Sequence, residues 1–148
     1  MTEHDLVSRA TIAYRNAGYA AFPWVRVPPR ELDIVIVDAM QCTLLVIEAK
    51  LRDWRRAVNQ ARGHAFWADY TAILVPSSEV LRVDRGILTA FGIGLMQLSD
   101  ASETQPISVV VQAIRSSDTI RTLRSQLYTK LARRGLHDGA GSVSSELD

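Results

Sequence analysis

The sequence predicts an α/β fold, one domain in which helices flank a mixed central sheet. Residues 32–38 (Leu-Asp-Ile-Val-Ile-Val-Asp) and 43–50 (Thr-Leu-Leu-Val-Ile-Glu-Ala-Lys) are apolar on both alternating faces, which is the pattern of strands covered on two sides. Stretches with helical spacing precede and follow them. A chain of 148 residues, 47% hydrophobic and 22% charged, is long enough to bury one sizeable core.

Leu6, Ala10, Ala13 and Ala17 recur at helical spacing, and Thr2 with Asp5 three residues later has the form of a capping box, so residues 2–17 open the chain as a helix. Gly18 ends it. Residues 19–27 are aromatic and β-branched enough for a strand, stopped by Pro28-Pro29 because proline lacks the N–H that a ladder needs. The two apolar runs follow as a hairpin at the sheet centre. Residues 53–68 read as a second helix with Trp54, Ala57, Val58, Ala61 and Ala65 as its apolar stripe and Asp53 at its start. Trp54 and Trp67 pack this helix on the sheet or face an interface. Residues 70–75 form a buried strand closed by Pro76, 77–91 a helix, 94–98 and 107–113 two strands, and 117–134 a final helix. No repeat or long linker interrupts them, so residues 1–136 make a single domain, with 137–148 as a flexible tail rich in Gly and Ser.

Lys and Arg total 17 against 16 Asp and Glu, a net charge of +1, which excludes a histone-like basic coat and an acidic solvating segment. Nucleic-acid affinity would have to come from local patches. Arg52, Arg55, Arg56 and Arg62 crowd the second helix, and Arg115, Arg121, Arg124, Lys130, Arg133 and Arg134 mark the last helix and its approach; both groups suit duplex phosphates or a solvated face. A single cysteine, Cys42, excludes an internal disulfide and fits the reducing cytoplasm. No apolar stretch approaches the roughly 20 residues of a membrane span, and the polar start lacks the form of a secretory signal.

Charge is rare in buried strands, yet Glu48 and Lys50 close one apolar run while Asp33 begins the other. Residues two apart on a strand share a face, so Glu48 and Lys50 project together and, in a hairpin, meet Asp33. Two neighbouring carboxylates repel unless a divalent cation lies between them, and an oxygen-rich set that includes the Ala49 carbonyl suits Mg2+ or Mn2+. Lys50 could then orient an attacking water or stabilise charge developing on a phosphate.

Asp33, the apolar hairpin, Glu48-Ala49-Lys50 and a following helix bearing Gln60 together resemble the PD-(D/E)XK nuclease superfamily over about residues 2–76. The order of helix, three strands, helix and strand agrees with that family's core, which is restriction endonuclease-like. The resemblance implies that Asp33 and Glu48 hold Mg2+ or Mn2+, that Lys50 is the catalytic lysine, and that Gln60 positions metal, water or phosphate. It also implies DNA phosphodiester hydrolysis leaving a 5′-phosphate. His64 stands where some branches carry a tyrosine four residues after the glutamine. Glu3 is the one glutamate available for the ligand that resolvase-like members place on the first helix, although it lies at the helix start, where it also suits the helix dipole. Leu32 replaces the proline of the family name.

The expected function is thus a Mg2+-dependent deoxyribonuclease, with a homodimer as a way for one small site to reach both strands. The alternative is a catalytically silent nuclease-fold module that binds DNA or a protein partner. A small-molecule enzyme has less support, since neither a Gly-rich phosphate loop nor a nucleophile elbow is present. Other readings remain for single residues: a turn former for Asp33, a solvated ion pair for Glu48 and Lys50, an exposed helix former for Gln60, and a packed histidine for His64. His4 and His137 read as solvent-facing terminal residues.

Overall fold

The computed structural model describes residues 1–99 and 106–135. Its elements run α1 (Glu3–Asn16), β1 (Ala20–Val27), β2 (Arg30–Asp38), β3 (Thr43–Ala49), α2 (Trp54–His64), β4 (Tyr70–Pro76), a 3-10 turn (Ser77–Arg82), α3 (Arg85–Phe91), β5 (Gly94–Leu98), β6 (Ile107–Val111) and α4 (Arg121–Arg133). The fold is α/β, with a six-stranded mixed sheet in the order β1-β2-β3-β4-β5-β6. The first three strands form an antiparallel meander, β4 and β5 run parallel, and β6 returns antiparallel. The expected tail, 137–148, lies outside the described residues.

The alternation of β2 decides the layering. Ile34 and Ile36 point to one face, where they pack with Ile47, Ala72 and Leu74 under Leu6, Val7 and Ala10 of α1. Val35 and Val37 point to the other, where they meet Leu44, Val46, Trp67 and, from α4, Leu127 and Leu131. Farther along this second face Trp54, Ala57, Val58 and Ala61 of α2 pack on Ile73, Val75 and Leu95. Both Trp54 and Trp67 are therefore core residues, each 7% exposed, rather than interface ones.

Caps set the helix limits, and they correct three expected boundaries. Thr2 and Asp5 close a reciprocal capping box on α1 as expected. Asp53 lies outside α2 as its N-cap, its carboxylate accepting from the Arg56 N–H, and the helix stops at His64 instead of residue 68. The expected helix over 77–91 is two pieces, because Asp84 accepts the N–H groups of Gly86 and Ile87 and restarts the chain as α3. The last helix begins at Arg121 because the segment before it is tied down in non-helical form: Ser116 N–H donates to the Asp69 carbonyl and Thr119 Oγ1 to the Ala68 carbonyl. Among the described residues no helix is long and apolar enough to cross a membrane.

Two members of the C-terminal basic group meet a buried acid. Asp69 is buried, accepts the Leu44 N–H at 2.8 Å, and receives Arg124 through Nε at 3.0 Å and Nη2 at 2.9 Å, with Arg115 Nη1 at 3.2 Å. Arg124 thus fastens α4 to the sheet, while Arg115, its side chain 58% exposed, reaches the same carboxylate from the surface. Removing the charge leaves the half-buried Arg124 guanidinium without its carboxylate. Asp69→Asn should cost about 2–4 kcal/mol of stability, read as a lowered denaturant midpoint with an unchanged slope.

Candidate active site

In the β2–β3 ladder Ile34 pairs with Ile47 and Val35 with Val46. Continued by one step, this register sets Asp33 directly opposite Glu48, on the face that α2 covers. Regular pairing ends there, and the Asp33 carboxylate replaces it by accepting the Ala49 N–H at 2.9 Å. Asp33 therefore closes the hairpin end while facing the second acid. The carboxyl groups are near enough to share a hydrogen bond.

Such crowding shows in their titration. Burial first, then the Glu48 charge and the hydrogen bond to it, push Asp33 up to about 7, against the Ala49 N–H and Lys50, which favour its charge. Burial also raises Glu48, opposed by the Asp33 hydrogen bond and the charges of Lys50 and Arg30. With no cation bound, the two acids titrate as a coupled pair that keeps one proton and one charge between them.

His64, 2% exposed, holds the Glu48 carboxyl in place. Its Nε2 lies 2.8 Å from Glu48 Oε1, while Arg30 Nη1 lies 3.4 Å from Nδ1. A guanidinium only donates, so Nδ1 is the acceptor and the hydrogen sits on Nε2, aimed at the carboxylate. Burial first, and the Arg30 charge second, hold the imidazole down to about 4, so it is neutral at physiological pH. One Glu48 oxygen is thus engaged by His64, and the carboxyl also lies beside Asp33.

Arg30 was not singled out from the sequence, and its position depends on a glycine. A Cβ on Gly63 would collide with the Arg30 guanidinium. Gly63→Ala should leave stability within about 1 kcal/mol of wild type, since the obstructed group is the end of a flexible chain and alanine favours a helix. It should also displace Arg30 and move the His64 titration upward from about 4, followed through the imidazole resonances.

The remaining residues fall on two sides. Lys50 lies close enough to favour the charged form of both Asp33 and Glu48, and its Nζ lies 3.5 Å from Glu3 Oε1 at the start of α1. Glu3 is thereby a partner of Lys50; among the described residues no three His, Cys, Asp or Glu side chains form a group placed to hold a metal ion. Gln60 precedes His64 by one turn on the same side of α2, and its buried Oε1 has no hydrogen-bond partner. Arg56 lies one turn earlier on that stripe. Arg55 and Arg62 fall on the opposite side, where Arg55 covers the Trp54 ring at 4.4 Å and Arg62 the Phe91 ring at 4.1 Å. The expected patch of Arg52, Arg55, Arg56 and Arg62 is thus split, and Arg52 and Arg56 remain exposed beside the site.

His4 is exposed, as expected of a terminal residue, and it has a ring partner. Its ring stacks on Trp24, with centroids 4.5 Å apart and planes 16° apart.

No protein-family model matches the sequence, and no curated protein matches it. A solved structure of a protein of unknown function from Silicibacter pomeroyi is similar in fold, with a TM-score of 0.66 at 17% identity over 93% of this chain and 89% of that one.

Proposed function

We propose that this chain is a Mg2+-dependent nuclease of the PD-(D/E)XK type that hydrolyses DNA phosphodiester bonds. The observation that carries the reading is the approach of the Asp33 carboxyl to Glu48 beyond the last regular pair of the hairpin, fixed by the Ala49 N–H, with Lys50 in electrostatic reach of both. A buried acid pair that must keep a proton to tolerate itself is costly to a scaffold and suited to a cation.

The residues fit a divalent ion by their chemistry. Asp33 and Glu48 would hold it, with main-chain oxygen at Ala49 and water completing an oxygen-rich set, and Gln60 Oε1 is a buried acceptor still lacking a donor. When bound, Mg2+ supplies Lewis-acid stabilisation of phosphate charge and a more acidic water. Everything else falls to the chain. His64 fixes one Glu48 oxygen, so the carboxylate cannot rotate away. Lys50 donates from Nζ to the attacking water or to a non-bridging phosphate oxygen, and Glu3 holds that ammonium at the mouth. Gln60 accepts from the water and so orients its lone pair. Arg52 and Arg56 meet the flanking backbone phosphates.

DNA is the partner this reading requires, and a homodimer would let two such sites address both strands. A cytoplasmic setting agrees with the exposed free thiol of Cys42. The test is a Mg2+ titration against labelled DNA for wild type and Lys50→Ala. Wild type should cut with Mg2+ and leave 5′-phosphate ends, and the variant should lose about 10²- to 10³-fold in rate while still binding. Binding without cleavage by both proteins would favour the silent module instead.

A further inference from the structure

Trp24 marks a break in β1: Phe22 and Val25 enter the same core cluster, as do Leu32 and Val35 of β2, so both strands change face at this step. The β1–β2 ladder pairs Pro23 with Ile34 and Val25 with Leu32 and skips the step between, where Trp24 would oppose Asp33. There the backbone turns left-handed, with Trp24 at φ 49°, a region that a bulky side chain seldom enters without compensation. The strain does not bury the indole, which remains 36% exposed. One ring face rests on His4, the neighbour of the Glu3 that meets Lys50. A left-handed residue therefore carries a stacked aromatic pair with α1, at the ladder step of Asp33 and one residue along α1 from the partner of Lys50.

We propose that Trp24, backed by His4, is a stacking platform for an unpaired nucleobase next to the phosphate held at Asp33 and Glu48, so that the preferred substrate is single-stranded DNA or a single-stranded junction arm. This rests on the nuclease reading for the phosphate and on the rim geometry for the base. Every base offers a π face, so an indole at the rim selects strand state rather than sequence. In an intact duplex the bases are stacked on one another and the platform has nothing to take. His4 stiffens the indole, which lowers the ordering cost of stacking.

The test measures binding with Ca2+ in place of Mg2+, so that an oxygen-seeking cation still occupies the acid pair while Mg2+-dependent hydrolysis is off, using a short labelled single-stranded oligodeoxynucleotide and the same sequence as a duplex. Trp24→Ala should weaken single-strand binding about tenfold and duplex binding far less, and Trp24→Phe should restore most of the loss. Wild-type tryptophan fluorescence should be quenched by the single strand, with the quench absent in Trp24→Phe. Trp24→Gly separates strain from support: glycine accepts the left-handed backbone, so its melting temperature should equal or exceed that of Trp24→Ala while single-strand affinity stays low. Equal losses on both DNA forms, no loss, or no single-strand binding by wild type would overturn the platform. Cleavage by wild type with Trp24 variants unaffected would remove the platform and leave the nuclease reading standing. Trp24-dependent binding with no Mg2+-dependent cleavage would keep the platform and remove the nuclease reading.

Discussion

Asp33→Asn should abolish DNA cleavage, by roughly 10³-fold or more, and at the same time stabilise the metal-free protein. The two effects have one cause. Asp33 faces a second buried acid, and its carboxyl is pushed up to about 7 by burial and by Glu48. An amide keeps the useful contacts: its oxygen accepts the Ala49 N–H and its NH2 donates to Glu48 without bringing charge. The gain should be about 1–2 kcal/mol at pH 8, seen as a higher melting temperature in EDTA. An inactive but destabilised variant would make Asp33 a folding residue, and an active one would remove it from the chemistry.

The second large effect is on pH and metal together. A carboxyl with a raised folded pKa binds its proton more tightly in the native state, so its stabilising contribution is full below the unfolded value of 3.8 and is lost as pH climbs toward about 7. His64 acts the other way. Its folded value is held down to about 4 from 6.5, so the unfolded chain takes up protons first and stability falls as pH drops through that window. The two slopes oppose each other between about 4 and 6.5, and above that the loss from the acid pair is no longer offset by His64. The metal-free protein should therefore soften between pH 6.5 and pH 8, unlike Asp33→Asn. On the proposed reading Mg2+ takes the ionised pair, so it should raise the melting temperature at pH 8 and have little effect at pH 5, below the raised Asp33 value. A Mg2+ effect of the same size at both pH values would place the ion elsewhere.

The central layers were legible because they follow from periodicity. Residues 32–38 and 43–50 alternate apolar side chains onto two faces, and the register follows from a short turn, so the meeting of Asp33 with Glu48 could be anticipated from spacing. The helix ends were less so. Asp84 and Asp53 act through hydrogen bonds to main-chain N–H groups, which compete with helical pairing in ways that an apolar stripe does not register. Asp69 was hidden for another reason. Its partners, Arg115 and Arg124, lie 46 and 55 residues away along the chain, and a charge run on a final helix looks alike whether it meets phosphate or a buried acid. Arg30 had only a faint trace, an arginine three residues before Asp33, and its reach over Gly63 to His64 depends on the packing of α2. Trp24 read as an ordinary strand aromatic, because a single left-handed residue leaves no mark in composition.

The site's central claim is that Asp33 and Glu48 form one seat for a divalent cation. A crystal soaked in Mn2+ at pH 8 tests it directly, since the anomalous signal of the metal locates it without assumption. The predicted result is a peak bridging the Asp33 and Glu48 carboxyl groups, lost in Asp33→Asn. A map with Mn2+ bound elsewhere on the molecule and none between these two residues would contradict it.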